Sequence, residues 1–548
     1  MKFKLTRNLV DVIAREIYPA TVSVVDGFIA NIERVESAEG YLMPGFVDSH
    51  IHVESSMLLP SEFARVAVTH GTVATVSDPH EIANVCGIEG VELMLRNAAK
   101  VNFKFCFGAP SCVPATKFET AGAELDVDAV TKLLNDDQIG YLSEVMDFPG
   151  VLNRSPEVMA KIKAAQTAGK PVDGHAPGLR GDDAARYVAA GISTDHECFT
   201  LEEALDKIKA GCKIAIREGS AARNFEALQT LLDDNPDACM LCSDDKHPDE
   251  FLLGHINKLA ARAVAHGRDL MNVLRAACVN PVRHYGLNVG LLQTGDPADF
   301  IVVRDLTHFE VESTYIDGVQ VSESGKSLIE PVEPETINNF CVGPIEPSSL
   351  KVAVAESTSE IRVIEALDGQ LITNALKVIP SNSEGHVDAD IENDILKIVV
   401  VNRYHEAPPA VAFIKGFGLK YGALASTVAH DSHNVVAVGV TDEELADVIN
   451  AVIETKGGLS VGSRDADGVN SPLVLPLPVA GLMSTGDCQS VGQHYARLDK
   501  KVKELGCSLR APFMTLSFMA LLVIPSLKLS DRGLFDGDKF ELATSVAS

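Results

Sequence analysis

The chain has 548 residues, 46% of them hydrophobic and 22% charged, with a formal net charge of −29. That composition builds a sizeable core in about two to four domains and excludes a disordered chain. The negative field repels phosphate backbones, so no nucleic-acid partner is expected.

The opening stretch MKFKLTRNLVDVIAREIYPA has no uninterrupted apolar run, and no signal peptide is expected. Residues 20–35, ATVSVVDGFIANIERV, predict a hairpin around Asp26-Gly27. From residue 45 one pattern recurs: a short β-rich apolar run, a polar cluster at its C-terminal end, then a helical stretch. The runs are GFVDSHIH (45–52), GTVATVSDPHE (71–81), FKFCFGAPSC (103–112), IGYLSEVMD (139–147), PVDGHAPG (171–178), GISTDHE (191–197), CKIAIREGSA (212–221) and ACMLCSDDKH (238–247). Residues 155–170 and 201–211 are the clearest helices between them. Eight such units predict an α/β fold, a (β/α)8 TIM-like barrel spanning 45–286. An open doubly wound sheet competes, but it does not gather polar clusters at nearly every strand end.

Residues 295–321 are again β-like, with an Asp317-Gly318 turn. The two flanking β pieces, 1–44 and 287–330, are expected to pair into a small composite β domain. Residues 329–340 read as a linker, and 340–548 as an additional C-terminal α/β domain with a helix at 441–458. The stretch APFMTLSFMALLVIP, Ala511 to Pro525, is too short to span a bilayer and reads as a buried helix or strand pair. No membrane partner is expected. Eleven cysteines without a paired framework predict a reducing, cytoplasmic location. Cys239 and Cys242 form a C-x-x-C, but within a strand-like run they face opposite sides, which argues against a zinc or redox role.

His50 and His52 lie two apart, so on a strand they share one face and can grip one ion. Alone, each histidine or carboxylate reads as a loop cap or a satisfied hydrogen-bonding group. The other strand ends change that reading. They carry Glu144, His175, His196 and Asp244, making four histidines and two carboxylates at five strand ends. Such nitrogen and oxygen donors without thiolate suit divalent Fe, Mn, Zn or Co, and six of them suit two ions. Two ions make hydroxide available near neutral pH, and Asp244 is placed to accept a proton from water and pass it to a leaving group. The expected chemistry is hydrolysis at a carbonyl or an amidine-like ring carbon.

The order H-x-H, Glu, His, His, Asp resembles the amidohydrolase superfamily. PGFVDSHIHVESSM, HGTVATVSDPHEIANVCG, PSCVPATKFETAGA, DGHAPGL, DHE and CSDDKHPDE resemble the adenine deaminase family within it, as do GDPADFIVV, KGFGLKYGALASTVAHDSHN and LPLPVAGLMS further on. The resemblance implies hydrolysis of adenine to hypoxanthine and ammonia in purine salvage, at two divalent ions, Mn2+ or Fe2+, with Zn2+ as the alternative. It implies His50, His52, Glu144, His175, His196 and Asp244 as metal ligands. Glu144 takes the bridging place that a carbamylated lysine fills in many relatives. A homo-oligomer is expected from the resemblance and from common symmetry.

For the purine, Asp78, His80 and Glu81 end the second strand beside the metals. Glu81 is the preferred proton donor to a ring nitrogen, or an organiser of the site; the competing reading is that DPHE only caps the next helix. Glu197, Arg217 and His247 are read as groups that support the site from behind the ligands, with Glu197 and His247 as further substrate-binding candidates. His430, Asp431 and His433 form a polar cluster read as a lid, a domain interface or a separate metal site. Contacts of Glu54, Ser55 and Ser56 are left open. Two other functions remain: a hydrolase of another cyclic amide or amino-heterocycle, and a non-catalytic scaffold.

Overall fold

The computed structural model describes residues 2–220, 222–354, 360–383, 385–465 and 467–545. Eight parallel strands run Phe46–Ile51, Thr72–Ser77, Lys104–Ala109, Ile139–Val145, Val172–Gly174, Thr194–Asp195, Lys213–Arg217 and Cys239–Cys242, hydrogen-bonded to one another in that order. The first, second and eighth are buried at every residue, as parallel strands covered on both faces must be. The eighth returns to the first: the Asp244 N–H donates to the His50 carbonyl at 2.9 Å, and the Ser49 hydroxyl donates to the Leu241 carbonyl at 2.9 Å. These bonds close the barrel, so all strand C-termini surround one mouth. Cys239 and Cys242 are unpaired and buried at the two ends of the eighth strand.

The helices form where local chemistry allows. Leu201–Lys209 starts at Thr200, whose hydroxyl accepts from the Glu203 N–H. Pro156–Thr167 places proline at its first turn, where the missing N–H costs nothing. After the third strand a long loop precedes the next helix, Val127–Leu134. Residues 110–126 form neither helix nor strand and instead run along the barrel mouth.

The N-terminal strands Lys2–Asp11, Glu16–Val25, Phe28–Arg34 and Tyr41–Pro44 join Phe300–Val303, Val311–Ile316, Val319–Glu323 and Lys326–Ser327 in a second sheet. Its two Asp-Gly turns have positive φ at both residues, 51° and 87° at Asp26-Gly27 and 49° and 74° at Asp317-Gly318. That twist matches the flanking strands. The turns pack together so closely that a Cβ on Gly27 would lie 2.9 Å from the Asp317 carbonyl oxygen.

Residues 328–346 carry no helix or strand and lead to a third eight-stranded sheet. Apart from the parallel pair Ile361–Ala366 and Ala410–Lys415, it is antiparallel. The helix Asp442–Glu454 covers one face, capped by Thr441. The apolar stretch at 511–525 is a buried helix, Pro512–Phe518, followed by a turn. Among the described residues no helix is long and apolar enough to cross a membrane.

This third region is bolted onto the barrel mouth. The Thr120 N–H donates to the Asp531 carboxylate at 2.9 Å, the Ser530 hydroxyl to the Phe118 carbonyl at 2.8 Å, and the Ser484 N–H to the Met57 carbonyl at 2.8 Å. Buried Arg403 donates to the Asn339 and His433 carbonyls, both at 3.2 Å, tying the connecting segment to the loop at 429–434.

Candidate active site

The side chains at the mouth sit at or just beyond the C-terminal ends of the strands. His50 and His52 project from the end of the first strand, and Asp244 follows the eighth. Asp244 has φ 53°, outside β geometry, so the chain turns there. Its Oδ1 lies 3.4 Å from His50 Nε2 and 3.3 Å from His52 Nε2. Glu144 lies at the centre and divides its oxygens. Oε1 is 3.3 Å from His52 Nε2 and 3.4 Å from His80 Nδ1; Oε2 is 2.6 Å from His175 Nδ1 and 3.2 Å from His196 Nε2. The rings of His50 and His196 stack with centroids 4.0 Å apart. The structure thus brings all six predicted ligand residues together, each between 2% and 7% exposed.

Deeper residues hold these groups in place. Asp48 accepts from the N–H groups of His50 and Ser243 at 3.3 and 3.1 Å and lies 2.7 Å from His255 Nε2. It therefore couples the first strand to the eighth. Asp195 accepts from the N–H groups of Ala176 and Glu197 at 3.1 and 2.7 Å, each next to a site histidine, and pairs with fully buried Lys207 at 3.1 Å. Arg217 forks onto both oxygens of Glu197 and donates to Asp244 Oδ2 at 2.6 Å. Burial pulls its guanidinium down, but the two carboxylates outweigh that and raise it. Burial likewise pushes Glu197 and Asp244 up, and Arg217 together with the site histidines outweighs it, holding both below the usual carboxylate range.

The second-strand cluster does two jobs at once. Asp78 Oδ1 accepts from the His80 N–H at 3.0 Å at the start of the helix His80–Ala98, while Oδ2 faces His80 Nδ1 at 3.1 Å. His80 stands beside Glu144, within the same group of potential ligand atoms as His52 and Asp78. Glu81 turns toward the loop at 429–434. Its Oε1 is 2.7 Å from His430 Nδ1, and its Oε2 meets His433 Nε2. Burial pushes the Glu81 carboxyl up, and the two imidazoles outweigh it and hold it well below the usual range. Burial lowers His430, and Glu81 and Asp245 overcome that to raise it to about 9. His430 stacks on Phe518, with centroids 4.8 Å apart, so the C-terminal region roofs the site. Glu197 lies 3.6 Å from His175 Nδ1 and 3.5 Å from His196 Nε2. His247 is turned away, its Nδ1 2.6 Å from the Tyr495 hydroxyl, and burial lowers it to about 3.

Three acids at the mouth have no counterpart among the predicted residues. Asp245 accepts from the Ser55 hydroxyl at 2.5 Å and lies 3.9 Å from His430 Nε2. Glu54, pushed up to about 8 by burial and then by Glu81, accepts from the Ile82 N–H at 3.3 Å. Glu119, also pushed to about 8 by burial, accepts from the Thr116 N–H at 3.1 Å. The only sequence signal for them was their place in strand-end or loop motifs, ESS, SDD and KFETAGA.

Two family profiles match the chain: the amidohydrolase family over residues 41–321, and the adenine deaminase C-terminal domain over 370–541. The adenine deaminase of Salinibacter ruber is 58% identical over 542 residues, covering 98% of each chain. That of Methanosarcina mazei is 52% identical over 551 residues, again covering 98% of each. The adenine deaminase of Borreliella burgdorferi is 46% identical over 547 residues, with the same coverage. The chain belongs to the adenine deaminase family of amidohydrolases. Among solved structures, a D-hydantoinase aligns with 60% of this chain and 97% of its own at 15% identity and a TM-score of 0.46.

Amidohydrolase membership implies divalent metal, and the geometry here fits it. The His52 Nδ1 donates to the Asp78 carbonyl at 3.2 Å, which leaves a lone pair on Nε2. In the neutral ring that lone pair points at the Asp244 and Glu144 oxygens, so a divalent ion can take the place between them that a proton on Nε2 otherwise fills. His50, by both ring nitrogens, and His175, by Nε2, are buried without a hydrogen-bond partner among the described residues. Ligand atoms of His50, His196 and Asp244, and of Glu144, His175 and His196, lie within 4.8 Å of one another. Hard and borderline donors of this kind suit divalent transition ions.

Proposed function

We propose that this protein hydrolyses adenine to hypoxanthine and ammonia, in purine salvage, with His50, His52, Glu144, His175, His196 and Asp244 holding two divalent ions. The observation that carries the reading is Glu144, whose two oxygens are shared between two groups of imidazoles in a chain 58% identical to an adenine deaminase. Mn2+ or Fe2+ are the proposed ions, with Zn2+ the alternative; the mixed imidazole and carboxylate donors support this. The eleven unpaired cysteines support a reducing cytoplasm.

Ions bound there lower the pKa of water and offset charge that develops on the ring. The chain's own groups do the rest. Arg217 fixes Asp244 Oδ2, so Oδ1 is the oxygen left facing the cluster. In this reading Asp244 accepts the proton of the attacking water and delivers it to the exocyclic amine. The C6–N bond then breaks and ammonia leaves, so one water is consumed for each adenine. The Glu81–His430 pair holds a proton between Oε1 and Nδ1 and is the proposed source for protonating a ring nitrogen. Asp78 and His80 organise the metal side of the pocket, and Glu197 acts through Arg217. Nearly complete burial of these groups excludes bulk water and supports a compact free base over a nucleoside.

The test is ammonia release from adenine, adenosine and guanine after loading with Mn2+. The reading expects adenine to be turned over fastest, with activity lost on chelation. No release from adenine, with hydrolysis of a cyclic amide or another amino-heterocycle, would sink the substrate assignment. Protein that binds no metal and hydrolyses nothing would leave a scaffold.

A further inference from the structure

Outside the barrel, behind the turn that follows the eighth strand, lies a cavity of about 370 Å3. It is an open cleft lined by the end of the seventh strand, by Cys242 and Ser243, and by the helices Pro248–Leu253 and Ile256–Ala265. For a chain with 76 acidic and 47 basic residues its lining is unusual. It carries Arg223, Lys246, Lys258 and Arg262 against only two carboxylates, Glu218 and Glu250.

Those two carboxylates are already engaged. Arg262 pairs with Glu218 at 2.6 Å, and with Glu226 beyond the lining, while Arg223 pairs with Glu250 at 2.8 Å. Among the described residues, no carboxylate lies within ion-pair distance of the Lys246 or Lys258 amine, and neither amine makes a hydrogen bond. Two lysines therefore line the cavity without a direct carboxylate partner, although Glu250, Asp48 and Glu218 act on Lys246 at longer range. The N-terminus of the helix Ile256–Ala265 lines the same space and adds a positive dipole end. Lysine amines act as point charges toward phosphate, and the volume is at the small end of ligand pockets, suited to a sugar-sized molecule.

We propose that this cavity is a binding site for a small phosphate-bearing anion, separate from the metal cluster. The floor gives the site a physical link to catalysis. Ser243 and His255 both contact Asp48, and Asp48 accepts the His50 N–H. Lys246 lies two residues beyond Asp244.

The experiment is calorimetric titration of the full-length, metal-loaded protein with inorganic phosphate and with ribose 5-phosphate. Ionic strength is held constant with chloride, and ribose serves as the uncharged control. Saturable binding of one phosphate probe per chain is expected, weakened at least tenfold by Lys258→Met and again by Lys246→Met, with none for ribose. Lys258 is exposed and remote from the metal cluster, so Lys258→Met is expected to fold and to deaminate at the wild-type rate. Tighter binding of ribose 5-phosphate than of phosphate assigns the site to an ester, and equal binding assigns it to the free ion. Absence of saturable binding overturns the proposal. So does binding that survives both substitutions, since that phosphate is held elsewhere, at the metals above all.

Discussion

Arg217 offers the sharpest test of how the site is held together. Its guanidinium is fully buried and spans Glu197 and Asp244. Arg217→Met keeps most of the volume and removes the charge, leaving two carboxylates buried without their shared partner. Removing one member of a buried ion pair costs about 3–5 kcal/mol, so the barrel should melt earlier yet still fold. The larger consequence is positional. Asp244 loses the bond that fixes Oδ2, and a displacement of about 1 Å at a reacting group costs roughly a hundredfold in rate. Arg217 contacts Asp244 and not the proposed purine pocket, so the loss should fall on kcat, with KM changed little. Arg217→Lys should recover only part of it, because a point charge cannot fork across two carboxylates. The pH dependence has a definite sign. In the wild type Asp244 and Glu197 are held below their unfolded values, so the pair contributes stability above the ordinary carboxylate range and loses it as pH falls through the folded values. In Arg217→Met burial acts unopposed by the guanidinium. The stability deficit should be greatest near neutral pH and shrink in acid, and the acid limb of kcat/KM should move to higher pH. Steady-state kinetics from pH 5 to 9 with parallel melts measure both. A kcat within threefold of wild type, with an unmoved acid limb, would refute the idea that Arg217 positions Asp244.

Asp244→Asn should fold normally, because asparagine tolerates the φ of 53° found there, yet lose about 10²–10⁴ in kcat through the missing proton acceptor; kinetics and circular dichroism check the two halves. Glu144→Gln should cut bound metal from about two ions per chain to one or fewer, since a neutral amide cannot bridge two cations, and elemental analysis after Mn2+ loading reads this directly. His433→Ala should retain the full metal content while lowering kcat, because it frees one oxygen of Glu81 without touching the cluster around Glu144. A fall in metal content there would move the 429–434 loop from the substrate side of the site to the metal side.

What the sequence made legible follows from which contacts are local. The eight barrel strands could be read because each is a short apolar run with a polar end, and burial on both faces leaves little else for such a run to be. Even the three-residue Val172–Gly174 and two-residue Thr194–Asp195 strands were marked by the polar residues that follow them. Helical regularity failed at 110–126, where the partners are Asp531 and Ser530, some four hundred residues away. No local periodicity encodes that distance. The strand order of the C-terminal sheet was hidden for a similar reason. Leu396–Val401, Ala423–Ser426 and Val435–Gly439 are each buried throughout, so their sequences do not say which neighbour each one takes. At the site, strand alternation paired His50 with His52, and place at a strand end marked Glu144, His175, His196 and Asp244 as the other candidates. Asp245 went unread because Asp244 has already left β geometry, so alternation does not say which side chain beyond the strand faces the mouth.

The C-terminal region makes best sense as part of the active site rather than an appendage. Glu54, Glu81, Glu119 and Asp245 add four carboxyl groups to a mouth that already contains Asp78, Glu144 and Asp244, all buried. Burying ionised groups is costly unless they are paired, and the barrel supplies only some of the partners. Glu54 and Glu119, pushed up to about 8, avoid that cost by holding a proton at neutral pH, and Glu81 takes its partners from the 429–434 loop. His430 supplies the counter-charge of Glu81 and also faces Asp245, while His433, lowered by burial, meets the other Glu81 oxygen. Packing His430 flat against Phe518 and threading Arg403 onto the His433 carbonyl hold these imidazoles at the mouth. A barrel without this roof would keep the proposed ligand residues but leave Glu81 without its counter-charge and the mouth open to water. The acidity at the mouth and the position of the loop are therefore one requirement, met by two parts of the chain that are far apart in sequence.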